Sequence, residues 1–568
     1  MNLKTPYIEN FDKTAPHNYH PTPQFRRDSF FCLNGSWDFA LNESPDSCGY
    51  DSKITVPFCP ESEASGIGMT VLPHHYMHYR KIFTHEENLN GKRAILHFGA
   101  VDCECEVKVN KKTVGQNKGG YIPFAFDITD ALVVGENSIE LTVKDMLDHK
   151  YPYGKQKYKR GGMWYTPVSG IWQTVWLEFV PNVHVTDIKI TPYYKGVKIA
   201  VTGGEAHKKI TLTESGEVFE CDGNIITIEP SEVKLWSPEH PHLYEFTLEC
   251  GDDKIYSYFA IRWVDVRIIN GKSRLFLNGE PYLFNGMLDQ GYYPDGIFMP
   301  ATVDGYIDDI KLTKSLGFNM LRKHIKIEPM IFYYLCDKMG VAVFQDMVNN
   351  GKYKFVRDTV LPTLSTNVLQ RLNDKNFSPD EEIREIFEES MYKTADLLYN
   401  TPSVVYYTVF NEGWGQFTAD TMYDKLKAYD PTRILDSTSG WFRRNKSDVD
   451  SRHIYFRKLE PKKLDGRPLV ISEFGGYAHS TKGHVFSEKI YGYRTFDSRE
   501  EFEDQICHLY ENEVKELVKN GASAFVYTQV SDVEDEINGF VTYDRRVIKV
   551  DTERIRKINN ELNEISKL

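Results

Sequence analysis

The sequence has no apolar run approaching the roughly 18 residues that a membrane span requires. Its opening, MNLKTPYIENFDKTAPHNYH, is polar and lacks the hydrophobic stretch of a secretory leader. Cysteine is scarce, nine in 568 residues, an odd and dispersed set that reads as reduced thiols rather than a disulfide framework. Positive charge is also short: 68 Lys+Arg stand against 81 Asp+Glu, a formal net charge of -13. No concentrated basic patch is offered to nucleic-acid phosphates. No solenoid-type repeat and no Gly-rich phosphate turn after an early strand is present. These absences predict a soluble, cytoplasmic chain without nucleic-acid or membrane partners. The sequons at Asn34, Asn376 and Asn445 carry no meaning without secretion.

What is abundant is aromatic. Phe, Trp and Tyr make up 13% of the chain, with 35 Tyr and 8 Trp, residues that suit both β-sheet cores and flat faces for sugar rings. Residues 1–181 alternate short period-two runs, such as Arg93–Phe98, Cys103–Val109 and Ser138–Val143, with Gly- and Asn-rich turns, the pattern of a β-sandwich. Residues 182–265 continue with short strands over a length that suits a seven-stranded immunoglobulin-like sandwich. From 266 to 568 the texture changes. Amphipathic stretches at 303–316, 328–339, 380–399, 418–429 and 500–520 alternate with apolar runs at 320–322, 341–345, 404–410, 434–437, 469–473 and 524–529, which predicts a (β/α)8 TIM barrel.

In such a barrel, chemistry sits at the C-terminal ends of the strands. Two apolar runs close on carboxylates: SVVYYTVF ends in Asn411-Glu412, and PLVIS ends in Glu473. One buried strand-end glutamate can simply cap a helix or pair with an arginine. Two of them, each followed by Gly and aromatic residues, are the equipment of glycoside hydrolysis, in which one carboxyl donates a proton and the other attacks the anomeric carbon. Arg322 closes the run NML as a cation for the ionised partner. His324 shares its direction if the strand persists.

These strings resemble the acid/base and nucleophile signatures of glycoside hydrolase family 2, the β-galactosidase and β-glucuronidase family. LNGSWDF from Leu33, LHFGAVD from Leu96, SGIWQ from Ser169, LWSPEHPHLY from Leu235 and FLNGEPYLFNG from Phe276 resemble the family in the same order. The resemblance implies a jelly-roll sugar-binding-type sandwich, an immunoglobulin-like sandwich and a catalytic barrel. It also implies a retaining exo-glycosidase with Glu412 as acid/base and Glu473 as nucleophile. Asn411 matches the residue that holds the sugar 2-hydroxyl, Arg322 the arginine orienting the nucleophile, and His324 a histidine lining the sugar site. Asp289 and Tyr455 stand where the family places further substrate contacts, and Trp164-Tyr165 where a loop reaches the barrel mouth.

Family glucuronidases bind the sugar carboxylate through an Asn-x-Lys pair ahead of Thr-x-Asp-Arg. Here Thr542-Tyr-Asp-Arg545 is present, but Glu536 and Asn538 stand in place of the pair. A carboxylate there would repel a uronate, so the expected substrate is a neutral glycoside such as a β-galactoside, its hydroxyls accepted by Asp532, Glu534 or Glu536. A solvated loop is the alternative for that acidic run. Also left open are a hexuronidase, an α-L-arabinosidase and a carbohydrate-binding protein without catalysis. The Glu-His-Glu metal set of some family members is missing after residue 345, so no metal or cofactor is expected. His74-His75-x-x-His78 reads as surface or interface histidines rather than a zinc site, and Cys103-x-Cys105 as packing. The family's habit of assembling through its β domains leaves a homo-oligomer open.

Overall fold

Period-two alternation of buried and exposed side chains builds the first two bodies of the computed structural model, which describes residues 3–46, 49–360, 373–378, 380–460 and 464–567. A six-stranded antiparallel sheet, in spatial order Ser52–Val56, Gly35–Asn42, Tyr76–His85, Gly135–Lys144, Glu104–Val109 and Lys112–Lys118, faces a four-stranded sheet. That partner sheet runs Phe31–Cys32, Val175–Pro181, Lys92–Phe98, Phe124–Asp127. Trp37, Leu96, Leu141 and Val175 meet between the two. Cys105 joins this core, and Cys103 is buried beside it. The second body packs a three-stranded sheet on a four-stranded one. The eight described cysteines are free thiols, and Cys48 lies outside the described residues. No described helix is long and apolar enough to cross a membrane.

The histidine cluster divides. His74 is exposed near Glu43, whereas His78 is buried, with Nε2 3.0 Å from the Ser44 carbonyl and 3.3 Å from Asn42 Oδ1. His78 is therefore a hydrogen-bonded structural residue, not a surface one.

The hairpin of Val264–Ile269 and Lys272–Leu277 leads into the barrel, where Leu275 and Leu277 pack on Phe284, Met320 and Val470. Eight parallel strands follow: Phe284–Asp289, Met320–Lys323, Ala342–Asp346, Val404–Asn411, Ile434–Ser439, Asp450–Ile454, Leu469–Gly475 and Ala524–Thr528. Helices Asp304–Ser315, Met330–Met339, Glu381–Leu398, Ala419–Tyr429, Arg499–Leu509 and Thr552–Ser566 surround them. The sixth strand, with sequence DSRHI, has little apolar character and was not expected from hydrophobic runs. It is recognised as a strand only by its parallel pairing with Leu469–Phe474.

Strand parity decides which side chains enter the barrel. Phe284 and Leu288 belong to the interior cluster, and Met287 to the layer under the helices. Met320 likewise points inward and Leu321 outward, so Arg322 and His324 continue inward while Lys323 faces out.

Polar clamps fix the bodies to one another. Arg27 binds Asp253 through Nε at 2.8 Å and Nη2 at 2.9 Å, Glu178 at 3.2 Å and the Val185 carbonyl at 2.6 Å. Arg262 donates to the carbonyls of Pro402, Thr432 and Val404 at 2.8–3.0 Å, and the Trp236 indole donates to Asp337 O at 2.8 Å. Removing one partner of a buried ionic network strands the others. Arg27→Met is expected to lower unfolding stability by about 3 kcal/mol, read as a fall in the urea midpoint of the transition that includes the two sandwiches. An unchanged midpoint would show that this clamp does not hold them.

Candidate active site

The fourth barrel strand, buried throughout, delivers Asn411 at its end and Glu412 just beyond it. Glu412 adopts φ +53° and is followed by Gly413 at φ +75°, a left-handed pair that turns the chain sharply at the strand end. A side chain on Gly413 would meet the Phe442 ring at 2.3 Å. The turn is further held by Glu412 N donating to Ser439 O at 2.9 Å. The seventh strand presents Glu473.

Arg322 organises these groups. Its Nε donates to Asp346 at 2.9 Å, Nη1 to Glu473 Oε1 at 3.1 Å and to the Ser472 carbonyl at 2.9 Å, and Nη2 to Asn411 Oδ1 at 2.9 Å. Tyr455 donates to the other Glu473 oxygen at 2.7 Å and lies 2.9 Å from Thr528 Oγ1. His453, from the strand that hydrophobic runs did not reveal, lies between the glutamates: Nδ1 is 2.9 Å from Glu412 Oε1, and Nε2 is 3.5 Å from Glu473 Oε1 and 2.9 Å from Ser439 Oγ. One oxygen of each glutamate and a His453 nitrogen all lie within 4.8 Å of one another.

Burial alone would raise the Glu473 carboxyl, but His453 and Arg322 outweigh it and hold its pKa down at about 2. Asp346 is likewise brought to about 2 against burial, chiefly by Arg322 and by His324, whose Nδ1 lies 2.7 Å from it. Burial and then the Lys155 ammonium lower His324 to about 4, so it is a neutral ring at pH 7. The Glu412 side chain is 19% exposed against 6% for Glu473, so it is the more accessible of the two carboxyls.

A pocket opens over this centre. Its walls include Asn411, Glu412, Glu473, Tyr455, His324, Trp164 and Glu536, so seven of the residues expected from sequence converge. Arg322 lies beneath them. Asp289 does not reach the pocket: outward parity pairs it with Lys323 Nζ at 2.6 Å, and its neighbour Gln290 lines the pocket instead. The two-residue step from inward Leu288 to Gln290 was the available signal. Sequence reasoning also missed Lys155, Met163, Tyr353, Trp414 and Tyr493 in the walls.

The acidic run is neither solvated nor collectively available to a sugar. Asp532 pairs with Lys549 at 2.7 Å, Glu534 accepts from Thr166 N at 2.9 Å, and Asp535 pairs with Arg160 at 3.1 Å; all are buried. Only Glu536 of the run lines the pocket, accepting from Tyr165 Oη at 2.5 Å and Asn538 Nδ2 at 3.0 Å.

Two groups of the described residues converge as metal ligands could: the Glu412, His453, Glu473 set itself, and the buried Asp102, Cys103, Asp145 in the first sandwich. In the first set the Glu473 oxygens already accept from Arg322 and Tyr455.

A sandwich, an immunoglobulin-like body and a barrel with two carboxylates at its mouth define the class of multidomain barrel glycosidases. The family described as "Glycosyl hydrolases family 2, TIM barrel domain" matches residues 268–561, "Glycosyl hydrolases family 2" matches 183–262, and "Glycosyl hydrolase 2 galactose-binding domain-like" matches 51–170. The chain belongs to glycoside hydrolase family 2. A β-galactosidase of Thermoanaerobacter pseudethanolicus is 29% identical over 56% of this chain and 46% of its own length. A putative β-glucuronidase of Formosa agariphila is 24% identical over 71% of this chain and 50% of its own length. The chain thus spans half or less of these curated relatives. Among solved structures, a β-glucuronidase from an uncultured Clostridium sp. has TM-score 0.75 at 18% identity over 95% of this chain and 99% of that one. A galacturonate-bound β-galacturonidase from Eisenbergiella tayi has TM-score 0.69 at 17% identity over 95% and 98%. At these identities the likeness concerns the fold.

Removing the guanidinium takes away a charge that stabilises the Glu473 carboxylate, so its pKa rises. In Arg322→Met the acid limb of kcat/KM is therefore expected to move to higher pH, with kcat/KM down about 100-fold or more. Arg322→Lys should keep more of the acid limb yet still lose rate, because a point charge cannot hold four partners in one plane. An acid limb unmoved in Arg322→Met would contradict this electrostatic role.

Proposed function

We propose that the protein is a retaining, exo-acting β-glycosidase. The observation that carries this reading is the approach of a Glu412 oxygen to within 4.8 Å of a Glu473 oxygen. Retaining enzymes hold their carboxyls about 5–5.5 Å apart, whereas inverting ones leave about 6.5–9.5 Å for an intervening water.

Glu412, the more exposed carboxyl, protonates the glycosidic oxygen while Glu473, kept ionised by its donors, attacks the anomeric carbon. The C1–O bond breaks, the aglycone leaves with the proton, and a glycosyl ester forms on Glu473. Glu412 then takes a proton from water, whose oxygen attacks C1 and releases Glu473, so two inversions return the original anomeric configuration. Asn411, fixed by Arg322, is placed to hold the sugar 2-hydroxyl. Walls drawn from the first sandwich support a pocket for a terminal sugar.

For the glycone, a neutral β-galactoside is the favoured substrate. Glu536 is a carboxylate in the wall, and Asn538 turns its amide to Glu536. A β-galactosidase is among the sequence relatives. A hexuronide is the second reading, supported by the Lys155 ammonium in the same pocket and by a putative β-glucuronidase among the sequence relatives. Free thiols suit a cytoplasmic setting.

Glu473→Ala is expected to lose at least about 10⁴-fold in kcat. Glu412→Ala should lose far more with alkyl than with activated aryl leaving groups, and proton NMR of the first product should show retained configuration. Full activity in Glu473→Ala or an inverted product would refute the mechanism. Aryl β-galactoside, β-glucuronide and α-L-arabinoside substrates decide the glycone.

A further inference from the structure

Two hydrogen-bond donors in the pocket wall have no acceptor among the described residues. Gln290 Nε2 is buried without a partner, on a side chain whose residue is 3% exposed. A buried donor without an acceptor is costly, so an oxygen supplied by a bound molecule or by water would be held there. Lys155 also lines the pocket, and no described carboxylate lies within ion-pairing distance of it. The nearest aromatic face, the Tyr165 ring, is 6.0 Å from its Nζ.

The Lys155 backbone is fixed although the residue comes from the first sandwich. Tyr153 N and Gly154 N donate to Asn349 O at 3.1 and 3.4 Å, and Lys155 O accepts from Tyr165 N at 2.9 Å. Gly154 adopts φ +60°, and a side chain there would come within 2.8 Å of Ile325 O. Only glycine lets this strap press against the residue after His324. The ammonium is close enough to both His324 and Glu473 to influence their protonation.

We propose that Lys155 Nζ and Gln290 Nε2 donate to oxygen atoms of the glycone away from its anomeric carbon, which makes Lys155 a specificity-determining residue supplied to the barrel by another domain. The proposal rests on the retaining-glycosidase reading of Glu412 and Glu473. The shared ligand chemistry is an oxygen acceptor, which a hydroxyl of a neutral sugar or the carboxylate of a hexuronide can provide.

The test compares wild type with Lys155→Met, which keeps the apolar stem, and with Gln290→Met as a second variant. Substrates are the 4-nitrophenyl β-D-galactoside, its 3-, 4- and 6-deoxy analogues, and the corresponding β-D-galacturonide. Losing a charged hydrogen bond predicts about a 10–100-fold fall in kcat/KM on the parent glycoside. That loss should vanish on the one deoxy analogue lacking the partner oxygen, identifying a hydroxyl. A fall of similar size confined to the galacturonide would identify a carboxylate, and both results support the assignment. An equal loss on every substrate, or none on any, overturns it. Glu473→Ala measured in parallel separates the failures: an active Glu473→Ala removes the catalytic reading and this proposal with it, whereas an inactive one beside a uniform Lys155→Met profile removes the role of Lys155 alone.

Discussion

A single buried guanidinium ties the site together. Arg322 reaches Asp346 on the third barrel strand, Asn411 on the fourth, and Ser472 and Glu473 on the seventh. Arginine can do this because its five donors lie in one rigid plane. Once buried, the charge cannot be left without partners, so the strands that supply those partners are held in one mutual arrangement. Arg322 therefore orients Asn411 and, together with His453, keeps Glu473 ionised. Tyr455 and His453 complete the shell around the two glutamates.

The barrel does not close its own pocket. The strap from Tyr153 to Thr166 descends from the first sandwich and binds the loop after the last barrel strand. Tyr165 meets Glu536, Thr166 meets Glu534, and Arg160 meets Asp535. Acidic residues that the composition suggests as sugar ligands are mostly spent on holding that strap. Lys549 and Arg160 match the charges of Asp532 and Asp535 locally, so the net charge of the chain says little about the potential that a substrate meets. The aromatic surplus has a similar address: Trp164 packs on Trp414 and Tyr353 with ring centroids 5.3 and 5.1 Å apart, forming a wall shared by two domains.

Legibility followed hydrophobic patterning. Strands whose apolar runs end in a polar residue announced Glu412, Glu473 and Arg322, and five amphipathic stretches were placed to within a few positions, whereas the last helix, Thr552–Ser566, was not among them. The sixth strand, DSRHI, was silent because its stability comes from pairing and from buried polar contacts rather than from apolar side chains. His453 was silent with it as a bridge between the glutamates. Asp289 and Gln290 show the limit of reading a strand end without parity: one residue of difference turns a side chain from the pocket to the helix layer. Lys155 carried no local signal, since a lysine in a Gly- and Tyr-rich loop looks solvated until its neighbours are known.

By itself the sequence determined the class: two sandwiches, a parallel barrel, and a pair of strand-end glutamates beside an asparagine. These follow from short-range periodicity and from residue chemistry, both of which are written in order along the chain. Only the tertiary structure decided which donors and acceptors share the pocket. It buried Asp532 and Glu534 with partners, turned Asp289 outward, and brought Lys155, His453 and Gln290 to the glutamates. Such choices depend on contacts between residues hundreds of positions apart, where parity and packing set each direction.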